Sequence, residues 1–106
     1  MTEYFYFDVE IKLAKEPKQL LATKVKSRIE GSLQQVFGEI GGHTEIDLLK
    51  FDPKRRRIIL RVPQAFYVKL RAAITCIADF QGVPCYFLVR KASPVLLSLA
   101  ETHSEF

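Results

Sequence analysis

The stretch Glu45-Ile46-Asp47-Leu48-Leu49-Lys50-Phe51-Asp52-Pro53-Lys54-Arg55-Arg56-Arg57-Ile58-Ile59-Leu60-Arg61-Val62 decides the fold. Two β-prone runs flank Asp52-Pro53-Lys54-Arg55, where an aspartate side chain can accept from the turn backbone and proline presets φ. The spacing predicts one strand over residues 45–51 and another over 57–62, joined as a hairpin. Alternation puts Ile58, Leu60 and Val62 on one face of the second strand and Arg57, Ile59 and Arg61 on the other. The basic residues of that strand therefore project away from the core side. Pro63 ends the strand, because proline cannot donate to a ladder.

Working outward, residues 4–13 alternate without a fault: Phe5, Phe7, Val9, Ile11 and Leu13 on one face, Tyr4, Tyr6, Asp8, Glu10 and Lys12 on the other. That is a strand with one buried face. Glu16-Pro17 breaks it, and Pro17 suits the first turn of a helix whose apolar residues are Leu21, Val25, Ile29, Leu33 and Val36. Gly38 is the expected stop after Phe37, and Gly41-Gly42 a loop. Beyond the hairpin a second helix is expected over residues 64–80, burying Phe66, Leu70, Ile74 and Ile77, with Tyr67 and Arg71 off that stripe. Gln81-Gly82-Val83-Pro84 reads as a turn and residues 85–91 as a fourth strand. Ser93-Pro94 reads as N-cap and first position of a short closing helix over 95–100.

The order β-α-β-β-α-β-α specifies an α+β sandwich of ferredoxin-like, RNA-recognition-like type, with a four-stranded antiparallel sheet, two helices on one face and a short C-terminal helix. On length, residues 1–106 form one domain with a core over about 4–100. This architecture serves RNA-recognition domains, acylphosphatases and small-ligand regulatory domains alike, so the function must come from particular residues.

Charge supplies the first of these. Seven of the 16 basic residues and none of the 12 acidic ones lie between Pro53 and Ala78, so a +7 stretch sits on a −3 remainder. They are Lys54, Arg55, Arg56, Arg57, Arg61, Lys69 and Arg71. Four consecutive cations repel one another, and such a local field attracts phosphate backbones or an acidic protein. A solvated hairpin serving solubility is the alternative. Arginine suits phosphate better than lysine, because its fork donates two parallel bonds. The candidate RNA-binding residues are Lys54, Arg55, Arg56, Arg57 and Arg61.

Enzymatic chemistry finds little to work with. The histidines are His43, in a glycine loop, and His103, near the end; no nucleophile elbow, catalytic carboxylate pair or phosphate-loop lysine is present. An acylphosphatase needs an arginine-bearing glycine loop where this chain has Ala14-Lys15-Glu16-Pro17. Cys76, Cys85, His43 and His103 lack the close pairing of a zinc site, and Cys76 is expected in the core. No cofactor and no metal is expected. RNA-recognition domains stack bases on aromatics of the first and third strands; Tyr4 and Tyr6 suit the first, but the third offers Arg57, Ile59 and Arg61. Two cysteines fit a reducing compartment, cytosol or nucleus, and Met1-Thr2-Glu3-Tyr4 lacks the marks of a secretory leader. No apolar run approaches the roughly 20 residues of a membrane span.

In the closing segment Val95, Leu96, Leu97 and Leu99 span more than one helix face. It either caps its own sheet or is clamped between the sheet and another subunit, and these four are the candidate partner-binding residues.

Several runs together carry a resemblance: Gln35-Val36-Phe37-Gly38-Glu39-Ile40, Glu45-Ile46-Asp47-Leu48-Leu49, Ile58-Ile59-Leu60-Arg61-Val62, Gly82-Val83-Pro84-Cys85-Tyr86-Phe87-Leu88-Val89 and Ser93-Pro94-Val95-Leu96-Leu97, in this order. Over residues 18–100 the chain resembles the family of fourteen-kilodalton protein subunits of eukaryotic ribonuclease P, relatives of its Pop-five subunit. The resemblance implies a non-catalytic component of the ribonucleoprotein that removes the 5′ leader of precursor transfer RNA, with the related ribonuclease MRP as a second candidate host. It implies that the RNA subunit cleaves through bound magnesium. The partners implied are a Pop-five-like subunit, a thirty-kilodalton barrel-type subunit and the ribonuclease P RNA; the place implied is the nucleus and nucleolus. A free-standing RNA-recognition module is the runner-up, and a small regulatory ligand-binding domain the third reading.

Overall fold

Alternating side chains in β1 (Tyr4–Leu13) put Phe7, Val9 and Ile11 on one face, and all three are buried in the core. The structure, a computed structural model, describes residues 3–16, 20–42 and 46–94. After β1 come α1 (Ala22–Gly42), β2 (Asp47–Asp52), β3 (Arg57–Pro63), a 3-10 turn (Gln64–Phe66), α2 (Tyr67–Thr75), β4 (Asp79–Phe80) and β5 (Val83–Ser93). The sheet order is β2-β3-β1-β5-β4 with every neighbour antiparallel, so β3, β1 and β5 lie inside and β1 is central. In register, Phe7 faces Leu60, Val9 faces Ile58 and Ile11 faces Phe87.

Helical spacing of four sets Val25, Ile29 and Leu33 of α1 on one line, and all three are fully buried. With Leu70, Ala73 and Ile74 of α2 they join the same core cluster as the inner strand residues, so both helices cover one face of the sheet. Each such aliphatic contributes about 1.5–3 kcal/mol on burial. The helices are also joined by Ser32, whose buried Oγ donates to the Ala73 carbonyl at 2.6 Å. That bond satisfies a hydroxyl that burial would otherwise penalise.

Five strands replace the expected four. Phe80, read as the end of the second helix, is a β4 residue and is buried there. The reason is the turn: Gln81 and Gly82 both have positive φ, 52° and 78°, which closes a two-residue hairpin onto Val83 and Pro84. The second helix is accordingly shorter than residues 64–80. Its first turn is 3-10 and its C-cap is Cys76, which is exposed rather than in the core. Gly38 does break α1, with φ 77° and ψ −176°, a conformation open essentially to glycine alone. The helix resumes beyond it, so Gly41 and Gly42 are the last residues of α1 and not a loop. The expected closing helix, with Val95, Leu96, Leu97 and Leu99, lies outside the described residues, as do Pro17, His43 and His103.

Candidate nucleic-acid and partner interface

The basic run sits in the β2–β3 turn, which its own residues hold in shape. Asp52 Oδ1 accepts from the backbone N–H groups of Lys54 (3.0 Å) and Arg55 (3.2 Å), the arrangement expected of an aspartate opening a turn. Arg56 takes a left-handed φ of 56°, uncommon for a residue with a side chain. Its carbonyl accepts from the Ile11 N–H at 2.8 Å, which ties the turn to the end of β1. The Arg56 guanidinium also donates to Glu16, across 40 residues of sequence. Lys54 and Arg55 stay exposed; Arg55 lies 3.8 Å from Asp52, and no ion pair holds Lys54 among the described residues.

Arg57 and Arg61 leave the tip and lie along the outer sheet face, on either side of Ile59. Arg57 grips Asp8 with both arms: Nη2 donates to Oδ2 at 2.8 Å and Nε to Oδ1 at 3.3 Å. The Asp8 side chain is 0% exposed and that of Arg57 only 14%. Arg61 donates to Asp47 Oδ2 from Nε (3.0 Å) and Nη2 (2.8 Å), and its guanidinium carbon stands 4.6 Å from the Tyr4 ring centroid. The structure thus brings Lys54, Arg55 and Arg56 together at one tip and sets Arg57 and Arg61 apart, each braced by a carboxylate.

Two cations outside the basic run, Arg90 and Lys12, meet on Glu10, and the first of them sits at a register shift. Val9 pairs with Val89 but Asp8 with Lys91, so Arg90 is the bulged residue. Arg90 Nη1 donates to Glu10 at 2.6 Å, and Lys12 Nζ lies 3.1 Å from the same carboxylate. Partial burial raises the Glu10 pKa, but the bonds and charges of Lys12 and Arg90 outweigh it and hold the carboxyl below its ordinary value. Burial pushes the Cys85 thiol up, with the Asp79 charge adding to it, so that thiol is a poor nucleophile at neutral pH. Among the described residues no three His, Cys, Asp or Glu side chains converge as metal ligands. None of the described helices is long and apolar enough to cross a membrane.

Sequence alternation could have flagged the Asp8–Arg57 pair, since an acid and a base both fall on the outer face of adjacent strands. What it could not supply is the register, which pairs Arg57 with Glu10 and Asp8 with Ile59 and so sets Arg57 diagonally across from Asp8.

The resemblance noted in the sequence extends along nearly all of the chain, for the profile of the Rpp14/Pop5 family matches residues 4–101. The chain belongs to the Rpp14/Pop5 family. It is similar to the ribonuclease P protein subunit p14 of Mus musculus, at 30% identity over 98% of this chain and 85% of that one. Similarity to the Homo sapiens ribonuclease P protein subunit p14 is 29%, over 98% of this chain and 84% of the human one. Among solved structures, a chain of the cryo-EM structure of yeast ribonuclease MRP superposes with a TM-score of 0.74, covering 97% of this chain and 90% of its own at 17% identity. That likeness concerns the fold, and it agrees with the α+β arrangement of sheet and helices described above.

Proposed function

We propose that this Rpp14/Pop5-family chain is a protein subunit of ribonuclease P, the ribonucleoprotein that matures the 5′ end of precursor transfer RNA, and that it serves the related ribonuclease MRP as well. The observation that carries this reading is the family match over residues 4–101. The subunit is non-catalytic and acts as a scaffold in the nucleus and nucleolus. Lys54, Arg55 and Arg56 contact RNA phosphates from the hairpin tip, with Arg57 and Arg61, held by Asp8 and Asp47, shaping the surface behind them. Val95, Leu96, Leu97 and Leu99 contact protein, namely a Pop-five-like subunit and a thirty-kilodalton barrel-type subunit. The scaffold reading is in keeping with the described residues, among which no three His, Cys, Asp or Glu side chains converge as metal ligands.

Two measurements test it. Purified alone, the chain is expected to leave precursor transfer RNA intact. Metal-dependent cleavage that co-elutes with the isolated protein through successive columns would end the scaffold reading. For the tip, Lys54→Ala with Arg55→Ala and Arg56→Ala is expected to flatten the log–log salt dependence of RNA binding by about two units, since each single-strand phosphate contributes roughly 0.7. An unchanged slope would assign the run to solubility or to an acidic protein. Arg57 is left out of that variant because its guanidinium holds a buried carboxylate.

A further inference from the structure

One edge of the sheet carries a cavity apart from the hairpin tip. Ala22, Thr23 and Lys26 of α1 line it together with Asp47, Leu48 and Leu49 of β2 and Arg61 of β3, and its volume is about 440 Å³. Ligand sites usually measure about 300–1,000 Å³. The charge of the lining is unbalanced. Arg61 engages Asp47 through Nε and Nη2, which leaves the Nη1 amino group for a further acceptor. Lys26 has no carboxylate partner among the described residues. Two cations thus meet one carboxylate, and Thr23 adds a hydroxyl donor.

We propose that this cavity seats a phosphate group of RNA, and that the RNA backbone runs from there along β2 to the hairpin tip. β2 is an edge strand that leads from Asp47 beside the cavity to Asp52 at the turn. At about 3.3 Å per residue its two ends stand about 17 Å apart, a span that a short stretch of single strand covers. Lys50 is exposed between them. Along this line lie Lys54, Arg55, Lys50, Arg61 and Lys26, against the carboxylates of Asp47 and Asp52 alone. Both carboxylates already accept hydrogen bonds from within the chain. A positively charged track that follows the backbone is the usual basis of single-strand binding.

A strand from a partner protein fits this edge less well. The register shift between Leu48 and Lys50 leaves Leu49 bulged, and a bulge beside an exposed lysine blunts an edge against further pairing. The cations are also strung along one line rather than gathered in one patch, which suits a polymer that bears a charge on every unit. The inference rests on RNA reaching the hairpin tip, as proposed above. To that contact it adds Thr23, Lys26 and a direction for the run of phosphates.

The test uses the full chain and a fluorescent oligouridylate of about ten nucleotides. Lys26→Glu is expected to lower the log–log salt slope of binding by about one unit, as for loss of a single phosphate contact. Lys24→Glu makes the same charge change at an exposed position outside the cavity, and is expected to lower the slope by less than half as much. Equal losses would mean that net charge alone acts, and would overturn the proposal. So would an unchanged slope for Lys26→Glu beside a flattened one for Lys54→Ala with Arg55→Ala and Arg56→Ala, a result that leaves RNA at the tip. Should neither variant act, the tip contact fails together with the cavity. Amide spectra of the unaltered chain give a check that needs no substitution. The Thr23, Lys26 and Leu49 signals are expected to shift with the oligouridylate and to stay in place with inorganic phosphate or an oligoglutamate peptide at equal concentration. Shifts confined to residues 53–56, or equal shifts with either of the other probes, would overturn the assignment to RNA.

Discussion

Arg57→Ala is expected to lower the unfolding free energy by about 3–5 kcal/mol in urea titrations, the largest loss available within the basic run. The guanidinium meets both oxygens of Asp8, and the Asp8 side chain is fully buried. Removing the arginine takes two hydrogen bonds and a positive charge from a carboxylate that water cannot reach, and desolvation then weighs more heavily on that charge. The paired change Asp8→Asn with Arg57→Gln leaves no buried charge and is expected to recover much of the loss, so a double-mutant cycle should return a strong coupling. A single-variant cost below about 1 kcal/mol would place the pair among exposed bridges, which contribute that little, and would contradict the buried geometry. The same reasoning separates Arg57 from its neighbours Lys54 and Arg55, whose exposed side chains can be changed with little effect on the fold.

Leu96→Asp with Leu97→Asp is expected to abolish pairing with a partner subunit. Burial of each leucine is worth about 1.5–3 kcal/mol, so losing both raises Kd by roughly 10² to 10⁴. The isolated chain should stay folded, because Phe7, Ile58, Ile29 and Ile74 build the core cluster among the described residues. Calorimetric titration against the Pop-five-like subunit, alongside thermal melts, separates the roles. A folded variant that binds with unchanged affinity would remove these leucines from the interface, and a variant that unfolds would assign them to the intrinsic core.

The order of elements was legible because each long element carries its period in its own residues. β1 alternates over all of its length, α1 repeats its buried residues every fourth position, and the hairpin is punctuated by Asp52-Pro53. Legibility failed where a local pattern fitted two structures. Ile77 and Phe80 are three apart, as on a helix, yet α2 has already ended at Thr75, and Phe80 belongs to the β4 hairpin. Glycine at 82 announced a turn, but the positive φ of Gln81, which completes it, has no signal in a glutamine. Cys76 looked interior by spacing and is exposed, because α2 ends one residue before it.

The candidate interface was half legible for a related reason. Composition reveals an excess of cations, but the carboxylates that engage Arg56 and Arg57 lie 40 and 49 residues away in sequence. The sheet register pairs Arg57 with Glu10 and Asp8 with Ile59, which leaves Asp8 diagonally across from Arg57, and Arg90 reaches Glu10 from the bulge in β5. The run of four cations is thus less uniform than it reads: its first two members face solvent, and its last two each meet a carboxylate distant in sequence.

The most direct test of the central claim is affinity purification of the tagged full-length chain from its own cells, followed by sequencing of the recovered RNA and assay of the eluate on precursor transfer RNA. The account predicts recovery of the ribonuclease P RNA with other subunits of that ribonucleoprotein, and an eluate that removes the 5′ leader. Recovery of folded protein with neither that RNA nor leader-removing activity would contradict it.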